Sequence, residues 1–156
     1  MPAVRDGRAG ALVSGLVLIV CATWAHAGGG ACLALASHPD GEPLARIDAS
    51  DFEIAYVHSV TRTPVVERYR LESGTIVQTE LRFVEHGPGL PTEADPGQRL
   101  ERREAGYVVT LDRRFREIVM RVGAAQSPRL SSGATTIDLA RWGERSLLIG
   151  ACGKTR

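Results

Sequence analysis

From Cys32 onward the apolar positions recur with a period of two, not 3.6. Phe52, Ile54, Tyr56 and His58 share one face of an extended segment, while Glu53, Ala55 and Val57 share the other. A second segment repeats the alternation, with Val65, Glu67, Tyr69 and Leu71 on one side and Val66, Arg68 and Arg70 on the other. In Thr75 to Glu85, Val77, Leu81 and Phe83 point one way and Gln78, Glu80 and Arg82 the other. Successive side chains of a strand face opposite ways, so this is the pattern of half-buried antiparallel strands. Shorter apolar runs predict further strands at Cys32–Ala36, Tyr107–Leu111, Glu117–Val122, Thr135–Leu139 and Ser146–Ala151. Asp40-Gly41 and Glu72-Ser73-Gly74 mark turns. Arg99 to Glu104 (RLERRE) reads as one helical turn. No long helical period and no internal repeat is present, so the expectation is an all-β chain folded as an antiparallel β-sandwich or small barrel.

Composition agrees with that reading and removes some functions. The 17 glycines and 8 prolines of this 156-residue chain favour many turns. Aromatics make up only 5%, too few for a stacking platform on single-stranded nucleic acid. A formal net charge of +1 provides no global field toward DNA or anionic lipid, so no nucleic-acid partner is expected. All basic residues but Lys154 are arginines, a bias from which no function is drawn.

The N-terminal segment has a different character. Arg5 and Arg8 precede the apolar run Ala9 to Ala25, and Ala25-His26-Ala27 places small residues where signal peptidase reads. Residues 1–27 are therefore expected to be an export signal cleaved after Ala27, leaving one domain over residues 28–156 in the periplasm or secreted. The alternative is a retained anchor, though about 17 apolar residues is short for a spanning helix. An uncleaved signal would be the chain's one link to a membrane. Lipidation is not expected: Cys21 follows Leu18-Ile19-Val20, which lacks the small residues such a site needs, and Cys32 follows Gly29-Gly30-Ala31, which fits a little better but lacks the usual leucine. Cleavage would remove Cys21 and leave Cys32 and Cys152, a natural disulfide pair in an oxidising compartment. Such a bond needs the first and last strands to be neighbours; the alternative is two separate buried thiols.

Two places break the apolar pattern. His58 ends one inward row and Glu67 sits inside the next, with Ser59 to Pro64 between them. A roughly symmetric hairpin would bring His58 and Glu67 opposite or diagonal to each other. A lone inward carboxylate is costly, and a histidine beside it would satisfy it through a charge-assisted hydrogen bond. The second place is His86-Gly87-Pro88-Gly89-Leu90-Pro91, directly after the longest strand. Its glycines allow positive φ and close approach, and its prolines stiffen it. It reads as a rigid corner or as a pocket wall beside the His58–Glu67 pair.

Together these residues carry a resemblance. Phe52-x-Ile54-x-Tyr56-x-His58-Ser59-Val60, then Thr63-Pro64-Val65-x-Glu67-x-Tyr69, then Gly87-x-Gly89-Leu90-Pro91 resembles a family of small exported bacterial proteins that carry a domain of unknown function. Its members are often encoded beside TRAP transporters of the TAXI type. Pro88 stands where the family often has alanine. The resemblance implies an accessory role in solute uptake, with a transporter component or its solute as partner, and supplies neither a catalytic residue nor a ligand.

Four readings follow. The first is a non-enzymatic binding or accessory module, with Arg62 and Arg68 available to hold an organic acid. The second is a small hydrolase using His58, Ser59 and Glu67, against which stand the opposite orientations of His58 and Ser59 and the lack of a Gly-x-Ser-x-Gly elbow. The third is a metal site of His58, Glu67 and His86, without the tight ligand spacing such sites show. The fourth makes His58 and Glu67 a purely structural clasp. The first is preferred, with no catalytic residue, no metal and no cofactor assigned. Its motif residues are His58, Ser59, Thr63, Pro64, Glu67, Tyr69, Gly87, Gly89, Leu90 and Pro91.

Overall fold

A computed structural model describes residues 30–153. The expected export signal at residues 1–27 lies outside them. Eleven strands run in chain order: β1 (Cys32–His38), β2 (Pro43–Asp48), β3 (Asp51–Val57), β4 (Pro64–Glu72), β5 (Thr75–Phe83), β6 (Arg99–Arg103), β7 (Gly106–Phe115), β8 (Glu117–Val122), β9 (Arg129–Ser132), β10 (Thr135–Asp138) and β11 (Arg145–Ala151). Short 3₁₀ turns at Ala124–Gln126 and Leu139–Trp142 are the only helical elements among the described residues.

The strands form two antiparallel sheets, one ordered β2-β1-β11-β8 and the other β10-β9-β3-β4-β5-β7-β6. The sheets pack face to face as a sandwich, not a closed barrel, because each keeps two free edges. Of the four changes of sheet along the described chain, two have almost no connecting loop, at Ala49-Ser50 between β2 and β3 and at Arg116 between β7 and β8.

The inward rows meet in one main core. Leu33, Leu35, Leu147 and Ile149 of the smaller sheet pack against Phe52, Ile54, Tyr69, Ile76 and Leu130 of the larger. A satellite cluster of Val65, Leu81, Phe83, Val109 and Leu111 lies farther along β4, β5 and β7. Full burial of an aliphatic side chain of this size contributes about 1.5–3 kcal/mol, so these rows dominate the stability of the sandwich.

The first and last strands are neighbours, as the cysteine pair required. β1 and β11 pair from Leu33 opposite Ala151 onward. Cys32 and Cys152 follow with Cα atoms 5.4 Å apart, bridged by a disulfide, and the Cys152 N–H donates to the Cys32 carbonyl at 2.8 Å. Among the described residues no helix is long and apolar enough to cross a membrane.

Three departures from the sequence expectations have physical causes. Arg99–Arg103 is strand β6, not a helical turn; it is an edge strand and has no fully buried residue to reveal its period. β2 and β9 were not foreseen, the first because its apolar residues are only partly covered apart from Ile47, the second because it is only four residues long. In β5 the pairing slips around Thr79 on both sides, so the strict alternation fails there and Gln78 is buried beside Val77. A bulge inserts one residue and reverses the facing of everything beyond it.

Candidate functional site

The β3–β4 hairpin is tighter than a loose symmetric loop. Ile54 lies opposite Glu67, Tyr56 opposite Val65, and Val57 opposite Pro64. His58 N–H donates to the Thr63 carbonyl at 2.9 Å, and Arg62 N–H donates to the His58 carbonyl at 2.9 Å. Arg62 takes a left-handed conformation, φ 59°, to close the turn. This register corrects the expected His58–Glu67 pair. Glu67 faces Ile54, and His58 lies four positions farther along the chain, just past the end of β3, about 13 Å away at the rise of an antiparallel strand.

His58 turns its ring into its own loop. Its Nδ1 accepts from the N–H groups of Val60 (3.3 Å) and Thr61 (3.1 Å). Its Nε2 lies 3.1 Å from the Pro88 carbonyl. A nitrogen that accepts two donors carries no proton, so the ring is the neutral Nε2–H tautomer and donates to Pro88. The side chain is only 8% exposed.

The glycine–proline loop is shaped around this ring. A Cβ on Gly87 would lie 2.7 Å from Thr61 Cγ2 and 3.0 Å from His58 Cε1, so glycine alone fits against the imidazole. Leu90 N–H donates to the Gly87 carbonyl at 3.0 Å, and Gly89 has φ 84°. Proline followed by glycine at positive φ is the signature of a type II turn. Leu90 packs on the satellite core, and the Pro91 carbonyl accepts from His86 Nδ1 at 2.9 Å. His86 itself lies against Tyr107, with ring centroids 4.2 Å apart. Thr63 Oγ1 meets Thr61 Oγ1 at 2.8 Å, and Pro64 opens β4. The three sequence motifs thus converge on one knot centred on His58.

Glu67 has different partners. Tyr56 donates its hydroxyl to Oε1 at 3.1 Å, and Tyr69 donates its hydroxyl to Oε2. Tyr69 is buried and stacks on Phe52 with centroids 4.9 Å apart, which holds its phenol in place. Burial, and then the adjacent Glu67 charge and hydrogen bond, push both phenols well above the ordinary tyrosine range. Both therefore stay neutral donors to the carboxylate. Among the described residues no cation lies within ion-pair distance of Glu67, although nine such pairs occur elsewhere. Tyr56 was not among the motif residues expected to act; its place on the inward row with Glu67 was the available signal.

The carboxylate faces a cleft of about 460 Å³ at one end of the sandwich. Ile54, Tyr56 and Glu67 form its larger-sheet side, Pro88 to Leu90 one end, and Ile118 to Arg121 of β8 the opposite side. This volume lies within the range of small-molecule sites.

The other expected site residues are not gathered here. Arg68 lies on the outer sheet face, its Nε 3.1 Å from Glu53 and its NH1 3.4 Å from Glu80. Arg62 is exposed in the hairpin turn, while Arg121 of β8, which the sequence reading passed over, stands at the cleft edge. Ser59 is exposed at the cleft rim, and with both nitrogens of His58 committed to backbone no base is presented to it, so the triad is not assembled. His58, Glu67 and His86 do not come together as a metal-ligand group among the described residues.

The family model described as Domain of unknown function (DUF1850) matches residues 52–139, just over half the chain, from β3 to the start of the second 3₁₀ turn. No curated protein and no solved structure matches the chain.

Proposed function

Because the chain belongs to the family described as Domain of unknown function (DUF1850), we propose that it is a non-enzymatic exported binding module, an accessory of solute uptake by a TRAP transporter of the TAXI type. The cleft beside Glu67 is its recognition site. The observation that carries this reading is the Glu67 carboxylate itself. It stands on an inward strand face, held in orientation by two phenols, open to a cleft and without a cationic partner among the described residues. A clasp needed only for folding gains nothing from an unneutralised charge at that position, since apolar residues there would serve as well or better.

The charge also narrows the ligand. A carboxylate set in a mixed polar and apolar lining favours a group that donates hydrogen bonds or carries positive charge, and it disfavours a free organic acid. Arg68 is committed to Glu53 and Glu80, so the cation left beside the cleft is Arg121 at its β8 edge, and Glu67 on the opposite side sets the preference against a free organic acid. The link to uptake then runs through a protein component of the transporter that presents a lysine, arginine or other donor. The Cys32–Cys152 pair suits a protein that works outside the cytoplasm.

The test is thermal unfolding of wild type and Glu67→Gln, each alone, with organic acids, and with the cognate TAXI solute-binding protein. The expected result is a stabilising shift of wild type by the protein component and none by the acids, with the shift lost in Glu67→Gln. At a hundredfold excess over Kd a specific partner stabilises by about 2.7 kcal/mol. Equal shifts in both forms would overturn the role of Glu67, and no shift under any condition would overturn the binding reading.

A further inference from the structure

The sandwich has four strand edges among the described residues, at β2, β8, β10 and β6. Exposed edges invite pairing, and proteins usually guard them. β6 carries three arginines and a glutamate in five residues. β10 is four residues long and mostly polar. β2 begins with Pro43, and its pairing with β1 is irregular there. β8 is guarded least: it has no proline or irregular pairing, and its two charges flank an apolar centre. It is six residues of Glu-Ile-Val-Met-Arg-Val, and its central Val119 is 47% exposed.

The sequence of β8 is also complementary to itself. Ile118 and Met120 turn toward the core, while Glu117, Val119 and Arg121 face outward. Two antiparallel copies centred on Val119 place Val119 opposite Val119, Glu117 opposite Arg121 in both directions, and Ile118 opposite Met120. Paired residues share a sheet face. The outer face therefore gains two opposite-charge pairs around an apolar contact, and the inner face continues its apolar row. Neither Glu117 nor Arg121 has an ion-pair partner within the described residues. Val119 pairs across the sheet with Leu148, itself buried and opposite Ala36 on β1, so the contact at the axis extends an apolar strip already present.

We propose that two copies of this protein associate through β8, antiparallel and centred on Val119, joining their four-stranded sheets into one of eight strands. The contact is isologous, as a closed two-fold dimer requires. Because Ile118 to Arg121 also line the cleft, the second copy lies along its β8 side, and the two recognition sites sit next to the dimer axis.

The experiment is sedimentation equilibrium of the protein and its charge variants, with circular dichroism to verify the fold. The altered side chains are exposed, so the fold is expected to survive. Wild type should be a dimer. E117R and R121E each oppose like charges at two places and should weaken association about tenfold or more. The double variant E117R/R121E restores both pairs in reverse and should recover the dimer. V119K sets two ammonium groups at the axis and should yield monomer. A wild-type monomer at all concentrations would overturn the proposal. So would a dimer indifferent to V119K, or a double variant no better than the single ones. A wild-type monomer that nevertheless binds a foreign extended peptide along β8 would assign the edge to a different partner and equally contradict self-pairing.

Discussion

His58 and Glu67 are the two ionisable side chains that replace apolar residues on neighbouring inward rows, and the protein treats them in opposite ways. The histidine is closed off, with both ring nitrogens engaged by backbone groups of two loops and Gly87 pressed against its edge. The carboxylate is held by hydroxyls alone and looks into an open cleft. A polar group that meets all its partners internally stabilises a shape. A charge that is oriented but left without a counter-charge is available for something else. On the proposed reading the motif divides its labour: the histidine builds the rim, and the glutamate offers the contact.

The largest expected effect is on the histidine side. His58→Ala removes one acceptor and one donor at once, leaving two N–H groups and a carbonyl to find water. A loss of about 2–4 kcal/mol in urea unfolding is expected. Gly87→Ala should follow at about 1–3 kcal/mol, since its methyl meets Thr61 and the imidazole within van der Waals contact. If Gly87→Ala is neutral, the loop does not rest on His58.

On the glutamate side the effects are smaller. Tyr69→Phe loses a buried donor to a carboxylate and should cost about 1.5–3 kcal/mol, whereas Tyr56→Phe, less buried and with the longer bond, should cost about 1. The phenols also predict a pH dependence. Their folded-state proton affinity is raised, so the folded form holds those protons more tightly than the unfolded chain. The stabilisation is fully present below the ordinary phenol value of about 10 and is lost as pH rises beyond it. Unfolding midpoints measured from pH 8 to 11 should fall on the alkaline side in wild type and fall less in the double variant Tyr56→Phe/Tyr69→Phe. Smallest of all is Glu67→Gln, whose amide still accepts from one phenol and donates to the other, at a cost under about 1 kcal/mol.

Much of this arrangement is legible in the sequence, and the gaps have reasons. The strict alternation of Phe52 to His58 and Val65 to Leu71 gives β3, β4 and their inward faces directly, because one face of each is buried. Cys32 and Cys152 imply adjacent end strands, as found. The pairing partner of Glu67 is not legible, because a hairpin register depends on how the turn closes, and the left-handed Arg62 that closes it leaves no compositional mark. Arg99–Arg103 escapes for a related reason: an edge strand with polar residues on both faces has no hydrophobic period to read. The Gly87–Leu90 turn is visible as a turn, but its role as the seat of an imidazole emerges only in three dimensions.

The most direct measurement is urea unfolding of wild type, His58→Ala and Glu67→Gln, side by side at pH 7. The division of labour predicts a large loss for His58→Ala and almost none for Glu67→Gln. The reverse order, or equal large losses, would make Glu67 as structural as His58 and would contradict its role as the exposed contact.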